Sequence, residues 1–200
     1  MTFNKSDILA RVEAIGAQDT DAFDIGEAAL LLAALDLPEN NIADYRDQLD
    51  LIAADMKAAS RDVDTLADRA AVLSDVLYRQ HLYQGDVETY DDPQNANLMQ
   101  VMDRRKGLPV ALGILAIHAG RAVGWEVSGL NFPGHFLLRL GSAGEYAFID
   151  PFDEARRVSG GDMQKIFMRL HGQQMPQQAD LIRPVSDREI LVRLQNNIKI

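Results

Sequence analysis

Cysteine is absent from the 200-residue chain, and that absence excludes disulfides, thiolate metal sites and every thiol nucleophile at once. Aromatic residues are scarce, at 6%, so few rings are available to floor a groove. Basic residues are outnumbered as well: 20 Lys and Arg stand against 30 Asp and Glu, for a formal charge of −10. Such a balance repels phosphate backbones and anionic lipid, and nucleic acid is not an expected partner. Long apolar runs are also missing. The longest, residues 28–35 and 108–117, fall well short of the roughly 20 that span a bilayer, and the first residues lack a secretory h-region. The expectation is a cytoplasmic protein without a membrane partner.

What is present reads as ordinary globular composition, 47% hydrophobic and 25% charged, with enough length for one domain or for two small units sharing a core. Apolar side chains recur at three- and four-residue spacing through the first eighty-odd residues, which predicts consecutive amphipathic helices. Asp24 and Glu27 suit the N-cap and N3 positions of a helix that ends before Pro38. Tyr45, Leu49, Ile52 and Met56 mark one face of a second helix, and Leu66, Ala70, Leu73 and Leu77 one face of a third. Periodicity disappears over residues 82–94, where Gly85, Asp91, Asp92 and Pro93 supply turn chemistry. The expected division is therefore a helical region over residues 1–84 and an α+β core over residues 85–200.

Within that core, Asn95 can cap a short helix carrying Leu98, Val101 and Met102, which runs into Arg104, Arg105 and Lys106 and stops at Gly107. Pro109 suits the first position of a longer helix that ends at Gly124. Gly113 and Gly120 inside it each cost about 1 kcal/mol relative to alanine, so they mark places where another backbone comes close, and the helix is expected to be central and buried. Beyond it the period drops towards two, predicting antiparallel strands around Val127, Leu138 and Ala147. Two last helices follow, one near Met163 and one opened by the capping box of Ser186 and Glu189, with the polar residues 173–178 between them. The chain stops while this last pattern is still amphipathic, as expected of a longer natural chain.

If the hairpin loop is the four residues 141–144, Leu140 pairs with Glu145 and His135 lies opposite Asp150. Facing residues point to one side of a sheet with Cβ atoms about 4.5–5.5 Å apart, which proposes a His-Asp dyad. The same register gathers Phe136, Leu138, Ala147 and Ile149 on the other, core face, and a one-residue slip destroys both patterns. A carboxylate-oriented histidine is what general-base chemistry needs. A purely structural hydrogen bond at a strand end is the other reading of the same pair.

Three motifs carry a resemblance to a known family. The run Asn95-x-x-Leu98-x-x-Val101-x-Asp103-Arg104-Arg105-x-Gly107-Leu108-Pro109, then Phe132-Pro133-Gly134-His135-Phe136, then Ile149-Asp150-Pro151-Phe152 resembles the SirB1-type branch of the transglutaminase-like superfamily. The late segment from Ile190 through Arg193 to Lys199 is similar to that family's segment after the core. The resemblance implies a papain-like α+β fold, with a helical N-terminal layer packed on a core of one central buried helix and an antiparallel sheet. It places a nucleophile at the N-terminus of the buried helix and a histidine and an aspartate on adjacent strands. His135 and Asp150 fall on the latter positions. The nucleophile position falls near Pro109, Val110 or Ala111, where there is neither thiol nor hydroxyl.

The dyad is thus expected without its attacking group, and recruitment of Ser128, Ser142 or Ser159 from other elements is not expected. The function read from this is a non-catalytic module that binds a peptide or protein through the cleft around His135 and Asp150, with Asn131, Asn95, Ala111 and Arg104 as binding positions. The competing reading is a thiol-independent hydrolase or acyl transferase using the dyad as general base. For several residues a plainer role stands beside the functional one. Asn95 is also read as a helix cap, Asn131 as a turn residue, and Arg104, Arg105 and Lys106 as a C-terminal cap and solvated turn in which one arginine pairs internally. His118 reads as a core histidine bonded to a carbonyl, and His81 and His171 as helix-end cations. No metal or cofactor is expected, since the dyad supplies only two ligands and no motif supplies more.

Overall fold

A computed structural model of the chain describes residues 5–18, 23–176 and 179–198; two residues of the polar 173–178 stretch and the Lys199 of the late segment lie outside these. Four helices come first: α1 (Lys5–Gly16), α2 (Ile25–Asp36), α3 (Ile42–Ala59) and α4 (Leu66–Ser74), the last running on into a π-helical turn, Asp75–Gln80. Side-chain oxygens start three of them. Asp24 accepts from the Glu27 N–H at the head of α2, Asn41 from Ala43 at α3, and Thr65 from Asp68 at α4, each satisfying one N–H that has no partner within its helix.

Tyr45, Leu49, Ile52 and Met56 are buried along one face of α3, and Ala70, Leu73 and Leu77 along the α4 segment. α2 departs from the amphipathic expectation. Its apolar residues are buried on all sides, Ile25, Ala29, Leu30 and Ala34 among them, because the helix touches α1, α3, α5, α6 and α8. A helix that is apolar all round is a core helix.

Between the helical layer and the sheet the chain forms a two-residue strand, β1 (Gln84–Gly85), a 3-10 turn (Pro93–Asn95), α5 (Leu98–Arg104) and β2 (Lys106–Gly107), which pairs parallel with β1. The α5 N-cap is Asn97, whose side chain accepts from the Gln100 N–H; Asn95, two residues earlier, does not cap it. α5 ends on Arg105 in the left-handed conformation, φ 57°. The basic trio is thus divided between helix end, cap and strand. α6 (Pro109–Arg121) has proline at its first position and is buried along almost its whole length. A Cβ on Gly113 would lie 2.4 Å from the Phe136 ring, and one on Gly120 2.5 Å from Val127 Cγ2. The close approaches expected at these glycines are real, but side chains make them, not backbone.

β3 (Glu126–Gly129), β4 (Leu138–Ser142), β5 (Glu145–Asp150) and β6 (Arg156–Val158) form one antiparallel sheet in that order. The β4–β5 register differs from the expected one by two residues: Leu138 faces Ile149, Leu140 faces Ala147, and Ser142 faces Glu145. The connection is a two-residue turn with φ 50° at Ala143 and 84° at Gly144, the positive pair that lets a hairpin keep its strand twist. Because side chains repeat every two residues, this shift leaves Leu138, Leu140, Ala147 and Ile149 on one buried face. The alternation excludes a slip of one and is blind to a slip of two.

Val127, Leu138, Leu140 and Ile149 pack in the main core with α2 and α6. On the sheet's other side, Leu130, Leu137 and Val158 join Phe132 and the inner face of α7 (Gly160–His171) in a second, smaller core. A 3-10 turn (Ala179–Ile182) leads to α8 (Asp187–Ile198), whose Ile190, Leu191 and Leu194 return to the main core. Ser186 and Glu189 form the capping box at its start. No described helix is long and apolar enough to cross a membrane. The architecture is α+β, helices around a central buried helix and an antiparallel sheet.

Candidate functional site

His135 lies outside the β4 ladder, in the loop that enters it. Phe132 is buried in the smaller core on one side of it, and Phe136 sits against Gly113 on the other. Gly134, at φ +73°, supplies the left-handed turn between these anchors, a conformation that glycine adopts freely. So held, His135 Nε2 meets Asp150 Oδ2 at 2.7 Å. The facing-pair geometry anticipated from the sequence is not how they meet, since Asp150 pairs across the sheet with Arg156. The contact is made from the loop.

Asp150 is 5% exposed, and its second oxygen accepts the Phe152 N–H at 2.9 Å. The Tyr78 hydroxyl donates to the carbonyl of Pro151 at 2.6 Å, fixing the chain directly after the aspartate. Burial, together with the nearby Asp150 and Glu154 carboxylates, pushes the Tyr78 phenol far up, so it remains a donor. In the tautomer whose Nε2–H donates to Asp150, His135 presents Nδ1 as an acceptor, and this nitrogen bonds to no described residue. The arrangement can take a proton from a group placed at Nδ1 and stabilise the imidazolium that results.

Arg193, from α8, holds the loop from outside. Its Nη2 donates to the His135 carbonyl at 2.7 Å and its Nη1 to that of Phe132 at 3.4 Å, with the guanidinium 5.3 Å from the Phe136 ring centre. Sequence reasoning quoted this residue within the late segment but gave it no part in the site. Nothing local signals a bond that spans 58 residues of chain.

A cleft of about 220 Å³ opens at His135, bounded by Leu108, Pro109 and Val110 at the start of α6, by Gly134 and Phe136, and by Tyr90, Arg193 and Asn197. Leu108, the N-cap of α6, offers no side-chain acceptor, so N–H groups of the first turn keep their hydrogen-bonding capacity. The stretch Pro109, Val110 and Ala111, where the resemblance puts a nucleophile, carries neither thiol nor hydroxyl, and Pro109 and Val110 of it border the cleft. Ser128 and Ser142 lie on β3 and β4 and Ser159 caps α7; none borders the cleft.

The remaining expected positions lie elsewhere. Ala111 is fully buried and does not border the cleft. Arg104 Nη2 donates to Asp86 at 2.9 Å and its Nη1 to Asn95 Oδ1 at 3.0 Å, while Asn95 Nδ2 donates to the Thr89 carbonyl. Hydrogen bonds from the Thr89 N–H and hydroxyl, from Asn95 and from the Glu88 N–H outweigh burial and hold the Asp86 carboxyl well below the usual range. Arg104 and Asn95 therefore belong to an internal network, and neither borders the cleft at His135 where binding roles were expected for them. Asn131 is exposed, gives its backbone N–H to the Arg183 carbonyl, and does not border the cleft.

Of the other histidines, His118 bonds to Asp24 at 3.0 Å and to the Leu49 carbonyl at 3.3 Å. His81 bonds to Asp55 at 2.8 Å, and His171 lies against Phe167, ring centres 4.4 Å apart. Among the described residues no three His, Asp or Glu side chains converge as metal ligands. A larger apolar groove of about 420 Å³ between α1, α2 and α8 shares no residue with the cleft.

Comparison with known proteins finds a family and several relatives. A UPF0162 protein of Pseudomonas aeruginosa is 34% identical over 176 residues, covering 86% of the chain and 63% of that relative. One from Xylella fastidiosa is 27% identical over 183 residues, covering 90% and 65%. Human F-box only protein 21 is 31% identical over 127 residues, which are 62% of the chain but 20% of that protein. The chain thus spans just under two thirds of the length of these bacterial relatives. No solved structure matches it. Residues 43–196 match the family described as the transglutaminase-like superfamily, a range that contains α6, the dyad and Arg193, and to that superfamily the chain belongs.

Proposed function

We propose that this is a non-catalytic member of the SirB1-type branch, a module that binds a peptide segment of a partner protein in the cleft between the α6 N-terminus and His135. One observation carries the reading: His135 and Asp150 are aligned and held, yet the residues at the head of α6 that share the cleft with His135 are Leu108, Pro109 and Val110, in a chain without cysteine. What remains after loss of the attacking atom is a surface suited to peptide groups. First-turn N–H groups can receive a carbonyl, and His135 can accept from an amide. The match to one fifth of F-box only protein 21 supports a unit used within larger chains.

A second reading is favoured by the free Nδ1. A water bound there, with His135 as base, makes a hydrolase that needs no enzyme nucleophile. Turnover of a panel of amides and esters by the wild type and by His135→Ala, both shown folded by circular dichroism, separates the two. Equal background rates are expected. Turnover that vanishes only in the variant would replace the binding module with the hydrolase. Peptides selected from a display library on the wild type are expected to bind Val110→Trp at least tenfold more weakly; undiminished binding would remove the cleft from the proposal.

A further inference from the structure

Charge in the cleft is unbalanced. A guanidinium carries five N–H donors, and Arg193 uses three hydrogen bonds, all to the backbone carbonyls of Phe132 and His135. Two N–H groups are left without an acceptor among the described residues. Arg46, Arg104 and Arg121 each meet a carboxylate, whereas Arg193 forms no ion pair with a described residue. Asp150 is committed, one oxygen to His135 and the other to the Phe152 N–H. Tyr90 and His135 are the other titratable residues of the cleft wall; burial pushes the Tyr90 phenol up, which keeps it neutral at pH 7. Burial draws the Arg193 pKa down, with only the Tyr90 phenol opposing. A half-buried cation without a counter-charge is costly to hold, and this one borders an opening.

We infer that the cleft receives a carboxylate of the bound peptide, with Arg193 as its counter-charge. The inference rests on the peptide-binding reading above and narrows its ligand class. Size points the same way. About 220 Å³ is below the roughly 300–1,000 Å³ of sites that enclose a whole small ligand, but it admits the end of a chain or one acidic side chain. A carboxylate on an arginine forms charge-assisted hydrogen bonds roughly twice as strong as neutral ones. The phenol of Tyr90 and the amide of Asn197 add polar groups at the rim. The overall charge of −10 disfavours anions in general, so selectivity comes from this one local cation.

Three pools of N-acetylated tripeptides test the inference, followed through the amide NMR signals of Val110, Ala111 and Phe136 in the whole chain. One pool has free C-termini and no Asp or Glu, the second is its amidated counterpart, and the third is amidated with one Asp or Glu per peptide. At least one carboxylate-bearing pool is expected to shift these signals at concentrations tenfold lower than the neutral pool. Its identity assigns the carboxylate to the chain end or to a side chain. In Arg193→Gln, with its spectrum confirming the fold, that advantage is expected to disappear. Equal response to all three pools would overturn the carboxylate while leaving peptide binding in place. Silence of the cleft signals to every pool would overturn the peptide reading itself. A carboxylate advantage that persists in Arg193→Gln would remove the role assigned to Arg193.

Discussion

Val110 occupies the second position of α6, where backbone N–H groups and the helix dipole favour negative charge, and it borders the same cleft as His135. A thiol placed there meets both conditions that lower a cysteine pKa from about 8.5. Val110→Cys is therefore expected to react with iodoacetamide at pH 6.5 at least tenfold faster than free cysteine, and to lose most of that advantage when His135→Ala is added. A rate equal to that of free cysteine would show that the helix and dyad are not arranged as in a papain-like site. At this scale the sequence was most legible where chemistry is local to a motif: His135 and Asp150 lie within quoted runs and do meet. It was least legible for Arg193, Asn95 and Arg104. Their partners lie 58, 6 and 18 residues away respectively, and no pattern in the chain encodes those contacts.

Elements followed their sequence signals when caps and periodicity agreed. α2 and α8 begin at or beside the cap residues chosen for them, and α6 begins at Pro109. The hairpin did not, because residues 141–144 carry two glycines and look like a loop, whereas Gly141 and Ser142 pair with Tyr146 and Glu145.

One joint between elements has a titratable centre. Both ring nitrogens of His118, on α6, face acceptors: Asp24 at the cap of α2 and the Leu49 carbonyl of α3. Two acceptors require two donors, and so the imidazolium. Burial lowers the His118 pKa, but the hydrogen bond to Asp24, its charge, the Leu49 bond and the charge of Asp50 outweigh it, leaving the net shift upward. For Asp24, burial raises the pKa and the bond to His118 overrides it, leaving the net shift downward. A raised histidine contributes stability that is complete below about pH 6.5 and is lost as pH rises through the folded value. A depressed aspartate contributes stability present above about pH 3.8 and lost as pH falls through the folded value. The urea midpoint of the wild type is therefore expected to fall between pH 5.5 and 8.5 by more than that of His118→Asn. Parallel decreases in the two proteins would show that the joint does not titrate.

For the molecule as a whole, the sheet separates two cores of unequal size, the main one around α2 and α6 and the smaller one under α7. Phe167 belongs to the smaller core, in edge contact with Phe132 at 6.3 Å. Burying fewer apolar groups, the α7 unit is expected to open independently. In Phe167→Ala, with a local cost of about 3–5 kcal/mol, hydrogen exchange should accelerate at least tenfold in α7 and stay unchanged in α6. Equal acceleration in both helices would mean one cooperative core. Fold class was readable at this scale because helical and strand periods occupy different parts of the chain. The double core was not, since which face of a strand meets which helix is a tertiary fact.

The hold of Arg193 on the His135 loop also orders events in time. Chains emerge N-terminus first, at about 5–20 residues per second, so α6, the dyad residues and the sheet are all available on the order of seconds before α8 arrives to fasten the loop. Until then a nascent chain has its histidine and aspartate but no finished cleft, and it cannot engage a ligand through Arg193. On the proposed reading, recognition is thereby tied to completion of α8, and a chain released before it would have a core without the Arg193 side of its cleft.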